Sequence, residues 1–200
     1  MQIKELNILK DSKTEFIVLA QTEHGSSYRS SSKGIAEHLL EQCRGISSSV
    51  SYTEKGKPYL DKRSEFISIS HTHQWFCLML STSHECGIDI EHHRDALHRI
   101  APRFLNSSEM AFVSDCNNPQ SALQFIWGAK EAVYKSWGQR GLEFAADMIV
   151  RPFEPKDSCT FITMDFSFRQ HRRVYQLSAQ QIDDLFLVYT DGFETLMPLI

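Results

Sequence analysis

No apolar stretch in this chain approaches the length needed to cross a bilayer, so no membrane-spanning helix is expected. The first ten residues, MQIKELNILK, lack the apolar run of a secretory signal. A net basic charge is also missing. The formal charge is -4 over 200 residues, and no global positive field points to nucleic acid. Any anion must therefore be held by a local patch. Cysteines are few and odd in number: Cys43, Cys77, Cys86, Cys116 and Cys159, with no CxxC spacing. That argues against a zinc cluster or a disulfide framework. Reduced thiols in a cytoplasmic protein are the expectation. What remains is ordinary globular composition, 42% hydrophobic and 23% charged. It supplies a real core, in one domain or in two compact halves.

The chemistry concentrates first in 125–138, FIWGAKEAVYKSWG, which reads as one amphipathic helix. At about 100° per residue, Lys130, Glu131, Tyr134 and Lys135 fall in one arc beside Trp127. Ala129, Ala132, Val133 and Ser136 fall on the opposite arc, and their small size lets that face lie close to a neighbour. Two lysines flanking a glutamate suit an anion and a metal together. By itself the segment reads more readily as a surface helix with an ordinary i,i+4 pair, Glu131–Lys135.

A second stretch, Gly87-Ile88-Asp89-Ile90-Glu91, alternates with the period of a strand. Ile88 and Ile90 face the core, and Gly87, Asp89 and Glu91 share the other face. Carboxylates at i and i+2 repel unless solvent or a cation lies between them. A hard divalent cation with oxygen ligands fits, and Mg²⁺ suits phosphate substrates. A solvated acidic strand end is the plainer alternative.

Further elements frame these two. Residues 2–20 read as one or two strands. A helix follows from the serine-rich 24–32 segment to about Cys43, with Ile35, Leu39 and Leu40 inward and Arg29 and Lys33 able to share a face. Tyr52–Leu60 reads as strand, turn, strand around Gly56-Lys57-Pro58. Phe66–Ser70 is an inner strand closed by His71, and Trp75–Leu80 is an apolar strand. His92 and His93 point apart on a strand, which argues against a paired metal-ligand role. Segments 96–103 and 107–113 are helical, with Ser107-Ser108-Glu109 as cap. Strands follow at 148–150, 160–168, 174–177 and 185–189, with the basic 169–173 segment at a hairpin tip in water.

Four ordered pieces, GKPYL at 56–60, ISISH at 67–71, GIDIE at 87–91 and WGAKEAVYK at 127–135, together resemble the signatures of the 4'-phosphopantetheinyl transferases. The resemblance covers roughly Tyr52–Gly138 and is closest to the longer, single-chain branch, the type that activates surfactin synthetase. It implies an α+β fold of two similar halves related by a pseudo-twofold, at 1–95 and 96–200, with the site at their junction and Trp127 packed there. It implies transfer of the phosphopantetheine arm of coenzyme A to a serine of an apo acyl or peptidyl carrier protein. It implies a holo-carrier-protein synthase that acts as a monomer, and no nucleic-acid or membrane partner is expected. Fatty acid biosynthesis, polyketide and peptide pathways all stay open. Asp89, Glu91 and Glu131 are the implied Mg²⁺ ligands. Lys57, Pro58, Ser70, His71, Lys130 and Lys135 are the implied coenzyme A contacts. Glu131 is the implied base, or else a water held by Glu91, and Lys135 its catalytic partner. Another Mg²⁺-dependent phosphate-ester enzyme, or a non-catalytic coenzyme A or carrier-binding module, remains an alternative.

Overall fold

The computed structural model of the chain describes residues 3–23, 28–156 and 158–196, with side chains throughout except at 28–31. The first half runs β1 (Ile3–Asp11), β2 (Glu15–Thr22), α1 (Tyr28–Arg44), β3 (Val50–Tyr52), β4 (Pro58–Leu60), β5 (Phe66–Thr72) and β6 (Trp75–Ser81). The second runs β7 (Ile88–His92), α2 (Leu97–Ile100), a 3₁₀ turn (Ala101–Arg103), α3 (Ser107–Asp115), α4 (Pro119–Trp137), α5 (Phe144–Asp147), β8 (Met148–Val150), β9 (Thr160–Phe168), β10 (His171–Ile182) and β11 (Leu185–Thr195). This is the α+β class the sequence implies. None of the described helices is long and apolar enough to cross a membrane.

The two sheets share a strand path. One sheet is β1-β2-β6-β5-β4-β3 and the other is β7-β11-β10-β9-β8, all pairs antiparallel. Apart from β1, which a hairpin adds to the outer edge of β2, both sheets follow one path. A strand leads into a helix, four strands follow, and the first strand pairs with the last. The GIDIE strand, expected with residues 1–95, takes its ladder from β11 and so opens the second half.

Side-chain alternation stacks these parts. Both faces of β2 are buried, so Phe16–Ala20 is an unbroken apolar run. Phe16, Val18 and Ala20 join Ile35, Leu39 and Leu40 of α1. Ile17 and Leu19 point the other way and meet Ile88, Ile90, Leu185 and Leu187 of the second sheet. The opposite face of that sheet, with Phe186 and Val188 of β11, packs on α4. The order is thus α1, sheet, sheet, α4, with the two halves joined by Ile, Leu, Cys77 and Met79. Period-two strands make this possible because each central strand serves two cores.

Helix α4 begins at Pro119, six residues before the apolar pattern suggests. Asn118 caps it by accepting from the Ser121 N–H, and proline is well suited to the first turn. Gly138 ends it at φ 66°, donating its N–H to the Tyr134 carbonyl. The small-residue face of α4 does lie close to its neighbour. A Cβ on Gly87 would stand 1.8 Å from the Ala132 carbonyl oxygen, and one on Gly128 would meet Val188 at 2.7 Å.

Three local expectations change. Asn106, not a serine, caps α3, in a reciprocal box with Glu109. Trp127 packs on Phe104 and Phe144 inside the second half, not at the junction between halves. Residues 169–172 form an exposed hairpin tip as expected, but Arg173 is half-buried. It donates to Glu85 Oε2 and the Tyr175 hydroxyl, both at 3.1 Å, and lies over the Trp137 and Phe193 rings.

Candidate active site

The edge of β7 not paired with β11 lies along β5, and two serine hydroxyls take the place of a backbone ladder there. Ser68 Oγ accepts the Ile88 N–H at 3.1 Å, and Ser70 Oγ accepts the Ile90 N–H at 3.2 Å. This brings the ISISH strand to the GIDIE strand. Asp89, between the two bonded amides, is turned to the α4 side and is 4% exposed.

Asp89 meets the helix at Lys135. The Lys135 ammonium donates to Asp89 Oδ1 at 2.7 Å, to Ser70 Oγ at 2.8 Å and to the Ile88 carbonyl at 3.1 Å. Ser70 donates its own proton to Asp89 Oδ1 at 3.0 Å. Oδ1 thus has two donors, while Asp89 Oδ2 is buried with no hydrogen-bond partner. A buried carboxylate oxygen without a donor is costly, and a cation is one way to satisfy it.

Glu91 and Glu131 feel the same crowding. Burial and then the Asp89 charge raise Glu91, against Arg94, whose guanidinium is 3.5 Å away. Burial and then Asp89 raise Glu131 to about 7, with Glu91 adding to the rise and Lys135 opposing it. Excess negative charge shared by three carboxylates suits a hard divalent cation with oxygen ligands. Among the described residues no three acidic, histidine or cysteine side chains already stand as a ready-made metal cage. The donor chemistry and the unpartnered Oδ2 fit Mg²⁺; the closed ligand set is not preformed.

Beside this cluster lies a cavity of about 480 Å³. Gly56, Lys57 and Pro58, then Ser68 and His71, then Lys135 and Gly138 line it, so three of the four sequence pieces share one wall. Partial burial at the cavity, followed by the Lys135 charge, holds the His71 imidazole below the ordinary histidine range. Lys57 runs along Gly138, and its ammonium donates to the Ser136 carbonyl at 2.6 Å at the C-terminal end of α4. Cations favour that end of a helix dipole.

One expected contact is placed elsewhere: Lys130 does not reach the cavity. Its side chain is fully buried, and its three protons go to Glu109 Oε2 at 2.7 Å, the Phe104 carbonyl at 2.6 Å and the Phe144 carbonyl at 3.0 Å. Lys130 and Glu131 are about 100° apart on the helix, and that angle separates core from site. Ser70 bonds Asp89, Lys135 and the Ile90 amide, beside the cavity wall that Lys135 forms. Lys33 pairs with Glu37 at 3.7 Å in an ordinary surface i,i+4 contact. The Arg29 side chain lies outside the described residues.

The structure also adds residues that pattern reading passed over. Tyr52, Lys55, Tyr134 and Gln139 line the cavity. Tyr134 shares its helix arc with Glu131, which was the available signal. Tyr52 had none, because only the β3–β4 turn carries it to the mouth.

No curated protein matches the chain. The sequence profile of the 4'-phosphopantetheinyl transferase superfamily matches residues 85–185, from the turn before GIDIE to the start of β11, and the chain belongs to that superfamily.

Proposed function

We propose that the protein transfers the 4'-phosphopantetheine arm of coenzyme A to a serine of an apo acyl or peptidyl carrier protein, as an Mg²⁺-dependent holo-carrier-protein synthase. The observation that carries this reading is the shared cavity. The GKP turn, the Ser-His strand and α4 meet there, with Asp89 at its wall through Lys135. The repeated strand-helix-four-strand path supports the single-chain branch, in which one chain supplies the whole site. A monomer in sedimentation is the matching result, and an obligate trimer would contradict it.

Coenzyme A would lie against Lys57, Pro58 and His71, with its pyrophosphate toward Lys135. The Lys135 ammonium lines the cavity while bonded to Asp89, so a phosphate oxygen would share or take over one of its three bonds. Lys130 has no part in this binding. Asp89, Glu91 and Glu131 would hold Mg²⁺, which when bound offsets charge on the pyrophosphate and its leaving group. The carrier serine oxygen attacks the phosphorus that bears the pantetheine arm. The bond to the adenylate side breaks, and adenosine 3',5'-bisphosphate leaves. Glu131, one helical turn from Lys135, takes the serine proton.

The test is intact-mass analysis of a panel of apo carrier domains incubated with coenzyme A, with and without Mg²⁺. A gain of one phosphopantetheinyl group, only with Mg²⁺, is expected. Cleavage of coenzyme A with no gain on any carrier would point to a phosphohydrolase instead.

A further inference from the structure

Ser70 is 6% exposed and has used every valence of its hydroxyl. The proton goes to Asp89 Oδ1, and the lone pairs accept from Lys135 at 2.8 Å and from the Ile90 amide at 3.2 Å. A serine hydroxyl has one donor and two acceptor sites, so this set is complete. The neighbouring Ser68 makes the matching bond to the Ile88 amide at 3.1 Å. The two serines therefore share one task, supporting the edge of β7, and differ in another. Only Ser70 touches Asp89 and Lys135.

We propose that Ser70 is a positioning residue that fixes Asp89 as a one-oxygen cation ligand. Ser70 and Lys135 together hold Oδ1, and the carboxylate plane is set by that pair. Oδ2 is then the oxygen left buried without a donor, presented on the face of β7 turned to α4. Without the hydroxyl, Asp89 keeps its bond to Lys135 but loses the second point that fixes its rotation about the side-chain axis. The carboxylate then turns both oxygens between lysine and cation. Partners that orient a ligand carboxylate typically contribute about 10–100-fold in metal affinity. The role is separate from the phosphate contact that the strand's resemblance implies for Ser70. The inference rests on the proposed reading of Asp89 as a cation ligand.

The test uses the full chain and Mn²⁺ as a paramagnetic probe, with free Mn²⁺ read by electron spin resonance in the absence of coenzyme A. Steady-state transfer gives the Mg²⁺ activation constant and the KM for coenzyme A. Ser70→Ala should weaken Mn²⁺ binding and raise the Mg²⁺ activation constant by about tenfold or more. At saturating Mg²⁺ its KM for coenzyme A should stay within about twofold of the unsubstituted protein. Ser70→Thr, which keeps the hydroxyl, should restore both constants, and Ser68→Ala, which removes edge support without touching Asp89 or Lys135, should move them far less than Ser70→Ala does. The proposal is overturned by a Ser70→Ala protein that binds Mn²⁺ normally and raises only the KM for coenzyme A, which marks a phosphate contact. It is also overturned if Ser68→Ala moves the metal constants as far as Ser70→Ala, which marks edge support alone. Where Ser70→Ala does not fold, Ser70→Cys takes its place, since a thiol is a weak donor; unchanged Mn²⁺ binding there overturns the proposal equally. An unsubstituted protein that transfers the arm but binds no Mn²⁺ overturns this inference and the metal ligands with it. One that binds Mn²⁺ and transfers nothing overturns the proposed reaction and leaves Ser70 to be judged on the metal constants.

Discussion

Replacing Lys130 with methionine should destabilise the protein and spare coenzyme A binding. The Lys130 ammonium is enclosed by Glu109 and the carbonyls of Phe104 and Phe144. Glu109 is 1% exposed and also accepts the Asn106 N–H and the Val150 N–H. This one ion pair thus joins α4 to the α3 cap, to β8 and to the segments before α3 and at α5. Methionine fills similar volume, so the loss is mainly electrostatic. Glu109 stays buried with two amide donors but no counter-charge, and two carbonyls lose a donor. Removing one partner of a buried pair costs about 3–5 kcal/mol. For a chain of this size that corresponds to a fall in Tm of about 6–20 °C. Burial already pulls the Lys130 ammonium below the ordinary lysine value, against the pull of Glu109. Adding Glu109→Gln should therefore recover part of the loss, with a coupling on the order of 1–3 kcal/mol. Urea unfolding of the four proteins of the cycle measures it, and calorimetric titration with coenzyme A at a temperature where all are folded measures binding. Binding should stay within about twofold. A Lys130→Met protein that keeps its stability to within about 1 kcal/mol and binds coenzyme A tenfold more weakly would refute the reasoning and return Lys130 to the phosphates.

Gly87→Ala should cost about 3 kcal/mol or more, because its Cβ would stand 1.8 Å from the Ala132 carbonyl oxygen, which belongs to backbone that cannot move aside. Gly34→Ala in α1, with open space around the new methyl, should instead stabilise by about 0.5–1 kcal/mol, and thermal melts separate the two. Glu131→Gln should abolish most transfer while coenzyme A binding falls less, as single-turnover rates beside calorimetry would show. Lys135→Ala should weaken both, by on the order of 2–4 kcal/mol in transfer. Asn106→Ala should cost about 1 kcal/mol in urea unfolding through loss of the α3 cap.

Much of the fold lies in local periodicity. The run Phe16–Ala20, the alternation of Phe66–Ser70 and GIDIE, and the apolar arc of 125–138 each specify their element, because side-chain direction repeats every two or about 3.6 residues whatever the surroundings. The same periodicity put Ile88 and Ile90 in the core and Asp89 on the opposite face. The chemical residues of the site were also legible as types: carboxylates two apart, a glutamate and a lysine one turn apart. What sequence could not order was which of these groups meet. Lys130 and Lys135 both fall in the arc of Glu131 beside Trp127. Contacts with Glu109 on one side and Asp89 on the other, each remote along the chain, made one a core ion pair and the other a wall of the cavity. That the Ser70 hydroxyl holds a strand edge, a carboxylate and a lysine emerges only when β5 is laid against β7. The GIDIE strand reads with the first half until β11 claims its ladder. In each case a hydrogen-bond partner many residues away decides the outcome. Pairing of that kind depends on how sheets and helices stack, and local side-chain period carries no information about it.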